Sequence, residues 1–227
     1  MKIEHRSYNS KRFRPRPHVH TEADGSILVV ATSWGLPEHA ALAAEEVAKY
    51  ATAARGDVEV TSPFETLTCL SDDANHLRIG MLIANDVLYR RENRTEYISG
   101  VEILAISRNG SSVAWAQVGS PHLLLRRSGR PLVPLALSYD HSFETAAGED
   151  RLPPLPARYI GTDPSCHVHC GDLRVRDEDV LVLASTTFLP PSLWTEAGPY
   201  DIARVTRELV HADADAPFWL GLVDFRY

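Results

Sequence analysis

The sequence predicts an α+β fold: a β-sandwich of two antiparallel sheets flanked by α-helices. Three observations predict it. Two long helical patterns follow one another early in the chain, a succession of short strands broken by glycine turns comes next, and one further helix precedes a closing apolar strand. With 227 residues, 44% of them hydrophobic and 23% charged, the composition is that of an ordinary globular chain, and a single domain over residues 1–227 is expected.

The elements are read in chain order. Asp24-Gly25 is a turn feeding the apolar run Ser26 to Ala31, which suits a central buried strand. From Pro37 to Ala54 the residues are rich in Ala and Glu, with Pro at the first turn and Gly56 just past the end, so this segment is a helix of about five turns. Ser71-Asp72-Asp73 caps a second helix that carries Leu77, Met81, Ile83, Ala84, Val87 and Leu88. Strands then follow at Val101–Ser107, Ser112–Val118, Leu123–Arg126 and Leu132–Leu137, with Asn109-Gly110 and Ser128-Gly129 as hairpin turns; consecutive strands are expected to pair as a meander. Both faces of Val101–Ile106 are apolar, so each must be covered. Residues 138–165 read as a surface loop with an acidic Glu149-Asp150 tip. Strands are expected again at Cys166–Cys170, Leu173–Val175 and Val180–Ala184, then a helix at Tyr200–Ala212 and a strand at Phe218–Phe225.

Charge and composition exclude several functions. The 23 Lys and Arg against 30 Asp and Glu leave a net charge of -7, which opposes bulk nucleic-acid binding. The run Lys11, Arg12, Arg14 and Arg16 reads as a solvated basic loop. No apolar stretch is long enough for a membrane span, and Met1-Lys2-Ile3-Glu4-His5-Arg6 leads into no apolar leader core. Three cysteines make no disulfide framework, so a cytoplasmic location is expected.

Eight short segments, in order, resemble a known family. They are Arg6-Ser7-Tyr8-Asn9-Ser10-Lys11; Val29-Val30-Ala31-Thr32-Ser33-Trp34-Gly35 entering the Ala-rich helix; Ala84-Asn85; Val118-Gly119-Ser120 with Leu123-Leu124-Leu125-Arg126; Leu137-Ser138-Tyr139-Asp140-His141-Ser142; Tyr159-Ile160-Gly161; Glu178 to Thr187; and Asp213-Ala214-Asp215-Ala216. Together they are similar to the metal-dependent protein phosphatases of type 2C, the PPM family. The resemblance implies a β-sandwich with paired helices and a phosphatase site in which two Mg²⁺ or Mn²⁺ ions activate water. It also implies four metal-binding aspartates, in Arg-x-x-Asn-Glu-Asp, Asp-Gly-Met-Gly, Ser-Asp-Gly and the closing Asp-Asn.

Those acids are missing. Lys11, Thr32 and Thr186 stand at the first three positions, Ser120 stands at a further acidic one, and only Asp213 or Asp215 keeps a carboxylate. Hydroxyls and an ammonium cannot hold two dications, so no metal and no cofactor is expected. Asp24, Asp72, Asp73 or Asp140 could move in as substitute ligands, though Asp72 and Asp73 are explained by the helix dipole. Arg6 matches the family arginine that contacts the substrate phosphate, and Lys11 could neutralise Asp215 in place of a metal. A vestigial active-site or anion pocket would therefore comprise Arg6, Asn9, Lys11, Thr32, Ser33, Gly35, Ser120, Thr186 and Asp215, with no catalytic residue among them. Trp34, Phe188, Leu189, Trp194 and Phe218 either fill the space left by metals and water or form a contact patch.

Other constellations are weaker. In Cys166-His167-Val168-His169-Cys170 the cysteines and histidines alternate in direction on a strand, so four ligands cannot converge, and His18-Val19-His20 alternates likewise without a partner. Ser33 lies between a strand and a helix but lacks the glycine that a hydrolase elbow has before its serine. The expected function is that of a pseudophosphatase: a binding or regulatory module for a protein partner, including a phosphorylated one, with no nucleic acid or membrane. A residual Mg²⁺- or Mn²⁺-dependent Ser/Thr phosphatase and a structural assembly subunit remain the alternatives.

Overall fold

Among the described residues, strand alternation and helix stripes bury an apolar core between sheet and helices in each of two units. The computed structural model describes residues 1–57, 61–142, 153–195 and 201–225. The chain resolves into two compact units. One comprises Pro17–Val118 and Arg158–Val175; the other comprises Met1–Arg16, Gly119–Ala157 and Arg176–Tyr227.

In the unit beginning at Pro17, strands β2 (His18–Thr21), β3 (Ile27–Trp34), β4 (Gly100–Asn109), β5 (Ser112–Val118) and β8 (His169–Arg174) form an antiparallel sheet in the order β2-β3-β4-β5-β8. Helices α1 (Glu38–Gly56) and α2 (Asp72–Val87) cover one face. The buried stripe Ala40, Ala43, Ala44, Val47, Ala48 and Ala51 repeats at helical spacing and packs on Ile27, Val29, Ala31, Ile103 and Ala105. Leu28, Val30, Leu104 and Ile106 are equally buried on the alternate face, as two-faced apolar strands require. Ser71 caps α2 by accepting the Ala74 N–H at 3.3 Å. A wide helical turn at Leu88–Glu92 prolongs α2, an element the sequence pattern does not announce.

In the other unit, β1 (Lys2–Tyr8), β10 (Phe218–Asp224), β9 (Val180–Ser185), β6 (His122–Arg126) and β7 (Leu132–Ala136) form a second antiparallel sheet in that order. Leu124, Val182, Ala184, Leu220 and Leu222 on one face of it pack against Leu193 of α3 (Ser192–Thr195) and Ile202, Val205 and Leu209 of α4 (Ile202–Ala212). Each sheet is thus flanked by helices, the α+β arrangement expected.

The meander expectation needs correction. β4 and β5 form one hairpin and β6 and β7 another, but the two lie in different sheets and β6 pairs with β9. Gly119-Ser120-Pro121 separates them, and Pro121 has no N–H to continue a ladder. The two strands expected at Cys166–Cys170 and Leu173–Val175 are one strand, β8. The Glu149-Asp150 tip lies outside the described residues.

Candidate functional site

The antiparallel pairing of β1 with β10 ends at Tyr8 opposite Phe218, so the segment after β1 runs beside the segment before β10. The two are tied together. The Tyr8 ring stacks on Phe218 at 5.1 Å and its hydroxyl donates to the Ala214 carbonyl at 3.0 Å. Ser10 Oγ donates to the Asp215 carbonyl at 2.5 Å and accepts the Arg12 N–H at 3.2 Å. Arg12 Nη2 reaches both carboxylate oxygens of Asp213, at 2.9 and 3.1 Å. Lys11 Nζ lies 3.5 Å from Asp215 Oδ1, with the two side chains 85% and 54% exposed.

Two of the expected site residues, Lys11 and Asp215, are therefore neighbours, and Asp213 belongs to Arg12 instead. An ion pair this exposed contributes little, so Lys11→Ala should change the unfolding free energy by less than about 1 kcal/mol in a urea titration. Arg6 and Asn9 are exposed on and just after β1; Arg6 stands opposite Leu220 in the β1–β10 ladder, and among the described residues its side chain has no hydrogen-bond or ion-pair partner. The basic run is only partly solvated, contrary to expectation: Arg14 is buried, with its Nη2 3.5 Å from Asp140 Oδ2.

Asp140 organises what surrounds it. Its Oδ1 accepts the Ser142 N–H at 2.9 Å, the Ser142 hydroxyl at 2.6 Å and the Leu155 N–H at 2.9 Å. Its Oδ2 accepts the Thr187 hydroxyl at 3.4 Å. The adjacent Thr186 is buried, and its hydroxyl donates to the Phe188 carbonyl at 3.1 Å, closing the turn after β9. His122, on β6, receives the Ser138 N–H at Nδ1 over 3.1 Å, so its proton resides on Nε2, which donates to the Thr186 carbonyl at 3.1 Å. Burial drives the His122 pKa down to about 4, and Arg14 adds to the fall, while the Thr186 carbonyl and Asp140 act against it. Ser120 is buried just before β6.

Thr32, Ser33 and Gly35 belong to the other unit, at the end of β3. Thr32 stands opposite Glu102 in the β3–β4 register, and its hydroxyl is buried without a hydrogen-bond partner among the described residues. Glu102 is 1% exposed and accepts the Trp34 Nε1–H at 2.8 Å. Sequence reasoning missed Glu102, although a lone acid in the otherwise apolar β4 is a legible signal. Ser33 is buried, and its hydroxyl donates to the Leu36 carbonyl at 2.7 Å, closing the turn between β3 and α1. Gly35 has φ +155° and lies against Ser99, where a Cβ would collide with the serine.

Ser99 completes an unforeseen Ser-His-Glu relay. His39 Nδ1 is hydrogen-bonded to Ser99 Oγ, and His39 Nε2 lies 3.4 Å from Glu92 Oε2. Ser99 has 0% exposure, so no substrate can reach its oxygen, and the relay serves as a strut between the first turn of α1 and the chain after α2. His39→Ala leaves a buried hydroxyl without its partner and should cost about 1–3 kcal/mol by urea unfolding. Nearby, Asn85 Oδ1 accepts the Gly161 N–H at 2.8 Å and Asn93 Nδ2 donates to the Gly161 carbonyl at 2.6 Å. Two of the family-like segments, Ala84-Asn85 and Tyr159-Ile160-Gly161, thereby meet. Gly161 has φ +88° and lies 2.7 Å, measured from an ideal Cβ, from the Leu88 Cβ, so Gly161→Ala should lower the melting temperature.

No protein-family profile matches the chain and no curated protein matches it. Solved structures do. The serine/threonine phosphatase PstP/Ppp of Mycobacterium tuberculosis shares 13% identity over 100% of this chain and 99% of its own, with a TM-score of 0.65. The PPM Ser-Thr phosphatase MsPP of Mycobacterium smegmatis shares 15% over 99% and 98%, with a TM-score of 0.66. PppA of Pseudomonas aeruginosa, a key regulatory component of the T6SS, shares 18% over 99% and 97%, with a TM-score of 0.59. The fold is that of the PPM-type Ser/Thr phosphatases.

The residues do not fit the two dications that a PPM-type site implies. Hard cations require several carboxylate oxygens. The Asp215 carboxylate already faces Lys11, and Asp213 faces Arg12. Among the substitute acids, Asp24 closes its own turn by accepting the Ser26 N–H at 2.8 Å, and that bonding holds its carboxyl below the ordinary carboxylate value. Asp73 pairs with Arg55 at 3.0 Å, and Asp140 is engaged as described. Among the described residues no three His, Cys, Asp or Glu side chains gather so as to hold an ion.

Of the aromatic and apolar residues singled out, Phe218 is buried in the core under α3 and α4, and Leu189 and Trp194 are half-buried against it. In the Cys-His-Val-His-Cys segment, Cys166 and Cys170 pack against the core of their unit while His167 and His169 are exposed, as alternation requires. Burial raises both thiols, Cys166 to about 11, with Arg78 opposing. Burial, then His167 and Arg158, lower His169. His20, expected to lack a partner, has Glu22 Oε1 3.3 Å from its Nε2. Among the described residues no helix is long and apolar enough to cross a membrane.

Proposed function

We propose that the chain is a catalytically inactive PPM-type module, one domain over residues 1–227, that acts in the cytoplasm by binding a phosphorylated protein without turning it over. The observation that carries this reading is the Lys11–Asp215 pair at 3.5 Å. An ammonium lies against a carboxylate of the closing segment that the family resemblance marks as a metal ligand, so a positive charge of the chain itself stands beside it. Exposed Arg6, the counterpart of the phosphate-contacting arginine, is the candidate anchor for the phosphoryl group. PppA, a regulatory component with the same fold, makes a regulatory role compatible with this architecture.

Titration of a phosphopeptide and of its unphosphorylated form against the wild type and Arg6→Ala tests the reading. The wild type should retain the phosphopeptide with its phosphate intact, and Arg6→Ala should weaken retention about tenfold, the loss of one charge-assisted contact. Equal, negligible binding by both proteins would overturn it.

A second reading, an assembly subunit that uses the scaffold for contacts alone, is supported by Phe13, Leu137 and Tyr139, which are 73%, 55% and 48% exposed in the same unit. It requires an oligomer in solution and no affinity for phosphate.

A further inference from the structure

β8 is an edge strand of its sheet, and the residues leading into it hold a feature that the phosphate-handling reading leaves unused. His167 and His169 are both exposed, two residues apart on the same face of extended chain, with ring centroids 5.0 Å apart. With Zn–N bonds of about 2.0–2.1 Å and about 1.1 Å from ring nitrogen to ring centre, tetrahedral coordination sets two imidazole centroids about 5.2 Å apart, whereas a square arrangement sets them about 4.5 Å apart. The observed spacing lies nearer the tetrahedral value. We propose that His167 and His169 form a two-imidazole site for an exchangeable Zn²⁺ ion on the β8 edge, its other coordination positions taken by water.

Capture requires modest rearrangement. The rings meet edge to face at 86°, so each must turn about its terminal side-chain torsion to aim a nitrogen at a common point. Such rotation is fast for exposed side chains. Arg158 Nη1 lies 3.2 Å from His169 Nε2 and donates to it, which marks that nitrogen as an unprotonated acceptor, the form a metal needs. The same guanidinium competes with the ion for the lone pair and repels its charge. Arg158 is exposed and can swing aside, so it acts as a brake on affinity without blocking the site. The neighbouring thiols of Cys166 and Cys170 point into the core and do not join.

Titration of the full chain with ZnCl₂, followed through the imidazole nitrogen and carbon-bound proton signals of individual histidines by NMR, tests the site directly. The signals of His167 and His169 should shift together and saturate at one equivalent, and MgCl₂ should leave them in place. His167→Ala should abolish saturable Zn²⁺ response at His169. Arg158→Gln should tighten binding between about threefold and tenfold, the screened repulsion of one unit charge on a dication. Independent, non-saturating shifts of the two rings, an unchanged His169 response in His167→Ala, or weaker binding in Arg158→Gln would each overturn the proposal. So would a response that persists in His167→Ala and vanishes in Cys166→Ser, because the ion would then sit on sulfur. None of these readouts depends on phosphate binding or turnover.

Discussion

Arg14→Ala should lower the unfolding free energy by about 3–5 kcal/mol, the loss expected when one member of a buried ion pair is removed and the other is left uncompensated. The Arg14 and Asp140 side chains are 4% and 10% exposed, so water cannot replace the guanidinium at the Asp140 carboxylate. The donors from Ser142, Leu155 and Thr187 remain after the substitution and soften the loss, which places the effect toward the lower end of that range. Asp140→Asn keeps a carbonyl oxygen for some of those donors but removes the negative charge that the buried Arg14 guanidinium faces, and it should be destabilising as well. Urea unfolding of both variants measures this. A change below about 1 kcal/mol for Arg14→Ala would mean that the pair behaves as a solvated one, as the sequence alone suggests.

Acid should destabilise the protein through His122 by about 3 kcal/mol between pH 6.5 and pH 4. The sign follows from the direction of the shift. The folded-state value, about 4, lies below the ordinary 6.5, so between those two pH values the unfolded chain binds a proton that the folded chain refuses. Stability from this group is complete above pH 6.5 and declines as the pH falls toward 4. The cause is burial: the imidazole is held neutral with Nδ1 accepting from Ser138 and Nε2 donating to the Thr186 carbonyl, and a second proton on Nδ1 would break the first bond. His122→Gln, which can both donate and accept at this place, should flatten the slope of unfolding free energy against pH over that interval. An unchanged slope in the variant would assign the acid sensitivity to other groups.

Most of the fold is legible in the sequence because periodicity survives in it. The alanine stripe of α1, the Ser71 cap of α2 and the two-faced apolar β4 each state their burial locally. The division of the strands between two sheets is not local. Nothing in Leu123–Arg126 distinguishes a partner in β5 from one in β9, since either neighbour would cover the same apolar side chains. β1 also escapes notice, because Lys2, Glu4, His5 and Arg6 are exposed on an edge strand and show no apolar alternation. In the candidate site, the pairing of Lys11 with Asp215 could be anticipated from the order of the family-like segments. The pairing of Asp213 with Arg12 could not, since it depends on the backbone path that turns Arg12 toward one aspartate and Lys11 toward the other. The burial of Arg14 and the Ser99–His39–Glu92 strut depend on contacts between segments far apart in sequence, and composition carries no trace of them, whereas Glu102 is visible as the lone acid of β4 even though its bond to Trp34 is not.

Hydroxyls and an ammonium stand where the family resemblance implies carboxylates, and the proposed function requires that no two-metal hydrolytic centre forms on them. Turnover of p-nitrophenyl phosphate in excess Mn²⁺, with and without a chelator, tests it most directly. The same background release of nitrophenol is expected in both conditions; Mn²⁺-dependent turnover that the chelator abolishes, and that follows the protein through purification, would show a working metal centre and overturn the proposed function.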